Sequence, residues 1–468
     1  MQLKCRMILW VHAALVLLYA GGCRAQHGAK EARPVTYFID QQQGSDANSG
    51  TSQTAAWRSL QNIKQGLLHP GDSLRFKRGS AFTGPLYIYD SGTGDNPVVL
   101  ADYGDPALPA PSFTNPVFTQ GNYGNCIRIK GSYVIVENLY FHHTSAYVRG
   151  TYTPASGWDT TVWEMGALYI DKEAQHCIVR NNEIEDCVVG IKSYGPYARI
   201  RNNYIHDCNR VLKEWGWGPL GIWLGADNQE ASYNRVFNYT ATDPRINWGP
   251  DGVGGGVDGG AFEIDDARYP KHNISIHHNY TRDCQGFLEV TWTDIGQNPS
   301  YRGFSIHHNV SDDYQQFIAL WRGAECVIEN NTIIRRKKNV NDWGVFNITQ
   351  DNSANKIRNN IIVTEMDIPV FNTGLRAPRE PRSVIANNLY YAASGSLVMA
   401  NEGPGTAPVY GNPLFVNYNS ATRAADFAIR PGSPAANKGL NAGYPADFTG
   451  IAIPKGSGPD IGAFELDE

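Results

Sequence analysis

VRNNEIEDCVVGIKSYGPYARIRNNYIHDC, residues 179–208, contains one phrase twice: an apolar residue, Arg, Asn-Asn, a polar or aromatic residue and Ile, repeated after 21 residues. Neither half has the 3.6-residue apolar spacing of a helix. Both read as short strands around an Asn corner. The phrase recurs along the chain as VENLYF from Val136, YNRVF from Tyr233, IHHNYT from Ile276, IHHNVS from Ile306, IENNTI from Ile328, IRNNII from Ile357 and IANNLY from Ile385. Aligned on these phrases, the landmark Asn falls at 138, 182, 203, 234, 279, 309, 331, 360 and 388. Such a repeat predicts a parallel β-solenoid, in which each coil buries its inward residues only against its neighbours. Equivalent residues then stack about 4.8 Å apart, and a corner Asn can adopt a left-handed backbone and hydrogen-bond along the row.

The cysteines share this phase. Cys187, Cys208 and Cys284 follow the landmark by five residues, whereas Cys177 and Cys326 precede it by five. With Cys126, they read as small buried residues in stacked rows rather than a disulfide or metal framework. Thr54–Leu68 spaces Trp57, Leu60, Ile63, Leu67 and Leu68 like one helical face, which predicts a helix capping the first coil. The Gly-, Pro- and Ala-rich end reads as a closing tail.

The 468 residues carry a net charge of −5, with 42% hydrophobic residues. That is ample for a core and gives no global attraction to nucleic acid. Residues 1–25 have the layout of a secretory signal, with Lys4 and Arg6, an apolar run from Met7 to Ala20 and then small residues. Cleavage after Ala25 and lipidation of Cys23 in the AGGC segment are the two alternatives. The organisation expected is a signal at 1–25, a linker at 26–35, an all-β single-domain right-handed parallel β-helix with its N-terminal cap at 36–410, and a tail at 411–468. The protein is expected in the periplasm, on the outer membrane as a lipoprotein, or secreted. It should act as a monomer and meet a membrane only through a lipid.

TYFIDQQQGSDANSGTSQTAAWRSL (36–60), LHPGDSLRFKRG (68–79) and the closing SPAANKGL and GPDIGAFE resemble the opening and tail of secreted bacterial right-handed parallel β-helix proteins. With the coils, the resemblance covers nearly everything after the signal. It implies the fold, and it implies carbohydrate as the substrate class more weakly, because lyases, hydrolases, epimerases and adhesins share the fold.

A second strand in each coil begins near a Gly: GALYID at Gly166, GIKSYG at Gly190, GIWLGA at Gly221, GAFEIDD at Gly260, GFLEVTW at Gly286, FIALWRG at Phe317 and GVFNITQ at Gly344. Period-two alternation points Phe262, Ile264, Leu288 and Val290 inward. Ala261, Glu263, Asp265, Phe287, Glu289 and Thr291 then point outward, and Glu263 and Glu289 become ladder neighbours. Asp266 sits at the turn where the phase ends. Carboxyls about 5 Å apart suit a retaining glycosidase and wider pairs an inverting one; this cluster offers both. Outward Trp223, Trp292 and Trp321 would stack on sugar rings. Lys271, His272 and Arg322 would contact substrate.

EIDDARYP with GFLEV one coil later also resembles β-helix glycoside hydrolases of the β-xylosidase family 120 and of family 141. There an Asp nucleophile and a Glu acid/base come from successive coils. The resemblance implies Asp265 or Asp266 in the first role and Glu289 in the second. No cofactor or metal is then needed.

The alternatives are a polysaccharide lyase and a non-catalytic glycan-binding solenoid. In the lyase, Lys271, His272, Arg268, Arg282 or Arg322 would assist elimination beside a uronate, and Glu263 and Asp265 would hold Ca²⁺. RRKK (335–338), with Trp343 and Arg322, would suit an acidic or sulfated plant, algal or host glycan, or else form a solvated loop. The SIHHN pairs at Ser275 and Ser305 read as structural, with alternation sending the two His of each pair to opposite faces. KEWGWG (213–218) and GPDGVGGGVDGG (249–260) read as loops beside a cleft.

Overall fold

A buried row of asparagine side chains runs through the coils and sets their register. Asn182 Nδ2 donates to Asn203 Oδ1 at 3.1 Å, and Asn203 donates to Asn234 at 3.0 Å. The row continues to Asn279, Asn309, Asn331, Asn360 and Asn388, with each step at 2.9–3.0 Å. Each Oδ1 also accepts the backbone N–H of the preceding coil's Asn, as in Asn279 N to Asn309 Oδ1 at 3.0 Å. The left-handed backbone belongs to the residue before the ladder Asn: Asn181, Asn202, Tyr233, His278, His308, Asn330, Asn359 and Asn387 have φ between 50° and 57°. Asn138 also has positive φ, and Leu139 N donates to Asn182 Oδ1 at 3.1 Å. Asn138 is thus the corner residue, and the row begins one position later than its Asn suggested.

The computed structural model describes residues 33–119, 121–145, 163–210, 219–240, 260–266, 269–290, 301–321, 323–336, 344–348, 353–373, 382–400 and 402–467. Among these, the strands form three parallel sheets of 12, 12 and 11 strands, each adding one strand per coil. The first runs from Thr36–Ile39 to Val384–Ala386, the second from Ala81–Thr83 to Val409–Tyr410 and the third from Leu86–Ile88 to Val398–Ala400. The fold is a right-handed parallel β-helix, the hand that parallel crossovers take. The signal segment 1–25 with Cys23 and most of the 26–35 linker lie outside the described residues.

Inward residues form one continuous apolar column, including Val136, Val179, Ile200, Ala231, Ile276, Ile306, Ile328 and Ile357, all fully buried. The six cysteines are free and buried within the same body. Burial pushes the Cys177 and Cys326 thiols up to about 12, so they stay protonated and act as packing groups. Close stacking also explains the glycines that open the third-sheet strands: a Cβ on Gly190 would lie 2.5 Å from Gly221 O.

The expected capping helix is not α-helical. The segment forms two 3₁₀ turns, Gln53–Ala55 and Leu60–Asn62, with Ser52 and Ser59 as N-caps. Trp57 leaves between them to bridge to Ile39, donate Nε1 to Asn48 O at 2.9 Å and stack on Tyr37. Its apolar residues still close the column: Trp57 and Leu68 are buried, and Leu60, Ile63 and Leu67 pack against them. The chain end builds a second core. Val310, Ile334, Ile361, Val363 and Leu389 face outward from the second sheet and are covered by Phe415, Phe427, Ile429, Ile461 and Phe464. At about 1.5–3 kcal/mol per fully buried large apolar side chain, this cover explains how outward apolar residues are tolerated.

Candidate functional site

The third sheet brings one outward row together in strict register. Tyr169 pairs with Lys192, Lys192 with Trp223, Trp223 with Glu263, Glu263 with Glu289 and Glu289 with Ala319. The strands concerned are Leu168–Ile170, Val189–Ser193, Leu220–Leu224, Gly260–Ile264, Leu288–Val290 and Ile318–Leu320. Glu263 and Glu289 therefore stand on adjacent coils, about 4.8 Å apart at the backbone. Both point away from the central column, yet their exposures are only 2% and 6%. They are enclosed acids, not solvated ones.

Neighbouring side chains hold them. Trp321, half-buried and diagonal to Glu289 on the following coil, donates Nε1 to Glu289 Oε1 at 3.1 Å. Asp265 continues the Gly260–Ile264 strand and is half-buried, whereas Asp266 adopts a left-handed backbone (φ 77°) and is 1% exposed. Asp266 Oδ2 accepts a hydrogen bond from Tyr194 OH at 2.9 Å. The cluster thus combines two in-register glutamates, a third carboxylate one step along and a fourth built into the wall.

Trp223 does not offer the exposed indole expected of it. It is fully buried, with Lys192 Nζ 3.7 Å from its ring centroid and Trp163 packed against it edge to face. Alternation placed it outward correctly but carries no information about what covers that face. Phe287 is likewise buried, stacked on Phe317 at 4.6 Å. It precedes the Leu288–Val290 strand, and alternation ends at the coil corner. Lys271 is fully buried and donates to Asp266 O, Tyr269 O and Tyr301 OH at 2.7, 2.9 and 3.2 Å. It braces the acidic turn from behind. His272 turns to Asp227, which accepts from its backbone N–H at 2.8 Å. Arg282 belongs to a second-sheet strand and donates to Ala421 O. Trp292, Arg322, Arg268, Trp343, the 213–218 segment and residues 249–259 lie outside the described residues.

Arg335 and Arg336 are neither a solvated loop nor a free anion site. Arg335 is fully buried and donates to Ser311 O and Ile334 O, while Arg336 pairs with Asp312 and lies over Tyr418. Lys337 and Lys338 lie outside the described residues. The four histidines of the two SIHHN segments come together, because the left-handed His278 and His308 break the alternation. His277 stacks on His307 and His278 on His308, with Nδ1–Nδ1 distances of 2.8 and 2.9 Å within each pair. Among the described residues, no group of three or more His, Cys, Asp or Glu is arranged to hold a metal ion.

Several residues of the site were missed from the sequence. Lys192 and Tyr194 lie in GIKSYG, where the alternation that selected Trp223 would also have selected Lys192. Trp163, Tyr269 and Tyr301 come from segments between strands and carry no periodic signal.

No known family profile matches the chain. A 148-residue stretch is 32% identical to lacto-N-biosidase of Bifidobacterium longum subsp. longum, covering 27% of this chain and 9% of that protein. The chain thus corresponds to under a tenth of that relative's length. Among solved structures it is similar to pectate lyase Pel9A, with a TM-score of 0.55, 14% identity and coverage of 93% of this chain and 97% of that one. It is also similar to XylC in complex with xylose, with a TM-score of 0.53, 11% identity and coverage of 93% and 99%. These likenesses establish the β-helix fold.

Proposed function

We propose that this chain is an exported glycoside hydrolase that cleaves a glycosidic bond of an oligo- or polysaccharide with carboxylates on adjacent coils. Glu289 serves as acid/base, facing Glu263 and the Asp265–Asp266 pair. The carrying observation is the register Glu263–Glu289, which puts two enclosed carboxyls one coil apart with Asp265 a step further along. The adjacent separation suits a nucleophile with an acid/base, and the diagonal one leaves room for a water. Enclosure favours holding one carboxyl protonated, as leaving-group departure requires. The reading calls for no cofactor, and the N-terminal signal layout supports export.

Two observations support hydrolysis over elimination. Lys271 and Arg282, expected as lyase groups, are engaged in structural hydrogen bonds, and His272 is tied to Asp227. The local identity to a lacto-N-biosidase points to the same class of reaction and leaves the substrate of this chain open.

The test is a panel of soluble glycans and aryl glycosides, including p-nitrophenyl lacto-N-bioside, incubated with wild type, Glu289→Gln and Glu263→Gln. New reducing ends without ultraviolet absorbance are expected, with Glu289→Gln slower by about 10²- to 10⁴-fold. An unsaturated, absorbing product would replace this reading with a lyase. Undiminished activity in Glu289→Gln would sink the assignment, and binding without turnover would make the chain a glycan-binding solenoid.

A further inference from the structure

We propose that Asp266 is a positioning residue, clamped by Tyr194 and Lys271, and that the working aspartate opposite Glu289 is Asp265. This rests on the glycosidase reading above.

Extended backbone through Ile264 carries the alternation to Asp265, which keeps Glu263's outward face, and the left-handed φ of 77° at Asp266 ends it. A non-glycine residue stays in that region when its surroundings hold it there. Here they do. The Asp266 carboxylate is tied to Tyr194 OH at 2.9 Å, and its main-chain oxygen to Lys271 Nζ at 2.7 Å. Lys271 is itself fully buried and anchored on Tyr269 O and Tyr301 OH. A carboxylate at 1% exposure that already serves a phenol is poorly placed to attack a sugar, whereas half-buried Asp265 is better placed.

The clamp has a steric signature of its own. Tyr194 and Gly225 directly follow the register pair Ser193–Leu224, so the row runs Tyr194, Gly225, Asp265 over three coils. To meet Asp266, the phenol must span two coil spacings, about 9.6 Å, by lying along the helix axis. Its path crosses Gly225, where a Cβ would come within 2.7 and 2.8 Å of Tyr194 ring carbons. Gly225 lacks the positive φ that would otherwise explain a glycine. The ring accounts for it. Tyr269 packs edge to face on Tyr194 from the far side, with centroids 6.0 Å apart. The tie therefore fixes the turn that aims Asp265.

The experiment compares Asp265→Ala, Asp266→Asn, Asp266→Ala, Tyr194→Phe, Gly225→Ala and Tyr194→Phe/Asp266→Asn in the full chain, with azide as the rescuing anion. The substrate is whichever glycan or aryl glycoside wild type cleaves fastest in the panel above. Asp265→Ala should lose about 10³-fold in kcat and regain rate with azide. Asp266→Asn, Tyr194→Phe and Gly225→Ala should each lose about 10- to 100-fold in kcat with KM little changed and no azide rescue. The double variant should be no worse than either single one, in kcat and in urea midpoint alike. Azide rescue of Asp266→Ala, a wild-type rate in Asp265→Ala, or additive urea midpoints would overturn the proposal. Full activity in Glu289→Gln, or an unsaturated product, instead marks failure of the glycosidase reading. The urea cycle still judges the clamp in that case.

Discussion

Trp321 donates its indole N–H to Glu289 Oε1 at 3.1 Å, reaching back from the following coil. The ring thereby orients the carboxylate proposed as acid/base, and the bond, not the ring, is the working part. Trp321→Phe keeps most of the apolar body and removes the donor. A hydrogen bond to a charged partner contributes about 1.5–3 kcal/mol, so kcat on the best substrate should fall about 10- to 100-fold with the thermal midpoint nearly unchanged. An unaltered kcat would reduce Trp321 to packing.

The Asn row makes a stability prediction. Asn309 donates to Ile276 O and Asn331 Oδ1 and accepts from the backbone and side-chain amides of Asn279, all within a fully buried position. Asn309→Ala leaves at least two buried groups unpartnered, at about 1–3 kcal/mol each. Urea unfolding should lose about 3 kcal/mol, a larger loss than for Ser457→Ala in the tail, where a single exposed side-chain bond to Asn437 is removed. Equal losses would mean that the row only marks register.

This row is also why so much of the site was readable. Once the Asn positions fix which residues share a coil, period two within Gly260–Ile264 and Leu288–Val290 places Glu263 beside Glu289 with no knowledge of loops. What failed did so at corners and covers. Phe287 and the His pairs lie where the left-handed backbone or a strand end breaks alternation. Trp223 was sent to the right face, but its burial depends on Lys192 and Trp163, the latter between strands. Tyr194's link to Asp266 spans two coils and has no local trace except the small residue at Gly225. The apolar cap was read correctly as a surface and incorrectly as a helix, because Trp57 leaves the turn to join the coil.

Arg335 should prove structural. Its guanidinium donates to three main-chain oxygens and to Ser311 Oγ, and Ser311 in turn donates to buried Asp313, whose carboxyl burial pushes up. Arg335→Met removes the cation and strands these acceptors, and breaking such a buried set costs about 3–5 kcal/mol. Arg335→Lys should recover little, since a point ammonium cannot match the fork. Denaturant midpoints check both, and a wild-type midpoint in Arg335→Met would contradict the burial argument.

The four histidines should make the tail's attachment sensitive to acid. Tyr444 stacks on His307, Phe448 lies against His278, and Asp447 O accepts from His278 Nε2 at 3.2 Å, so the tail rests on the cluster. Burial, then the neighbouring imidazoles, lowers His278 to about 4 and His308 to about 3, and drives His307 far down as well. Glu230, the nearest carboxylate, is held at about 2, chiefly by His277. The sign follows from proton counting. The unfolded chain binds protons at these histidines near 6.5 while the folded chain does not, so stability is complete above about 6.5 and is lost as pH falls toward 4 and 3. Urea midpoints measured from pH 8 to pH 4 should drop mainly below 6.5. His278→Gln/His308→Gln should flatten that drop, because neither replacement titrates. A drop of equal size in this double variant would assign the acid sensitivity to carboxylates elsewhere.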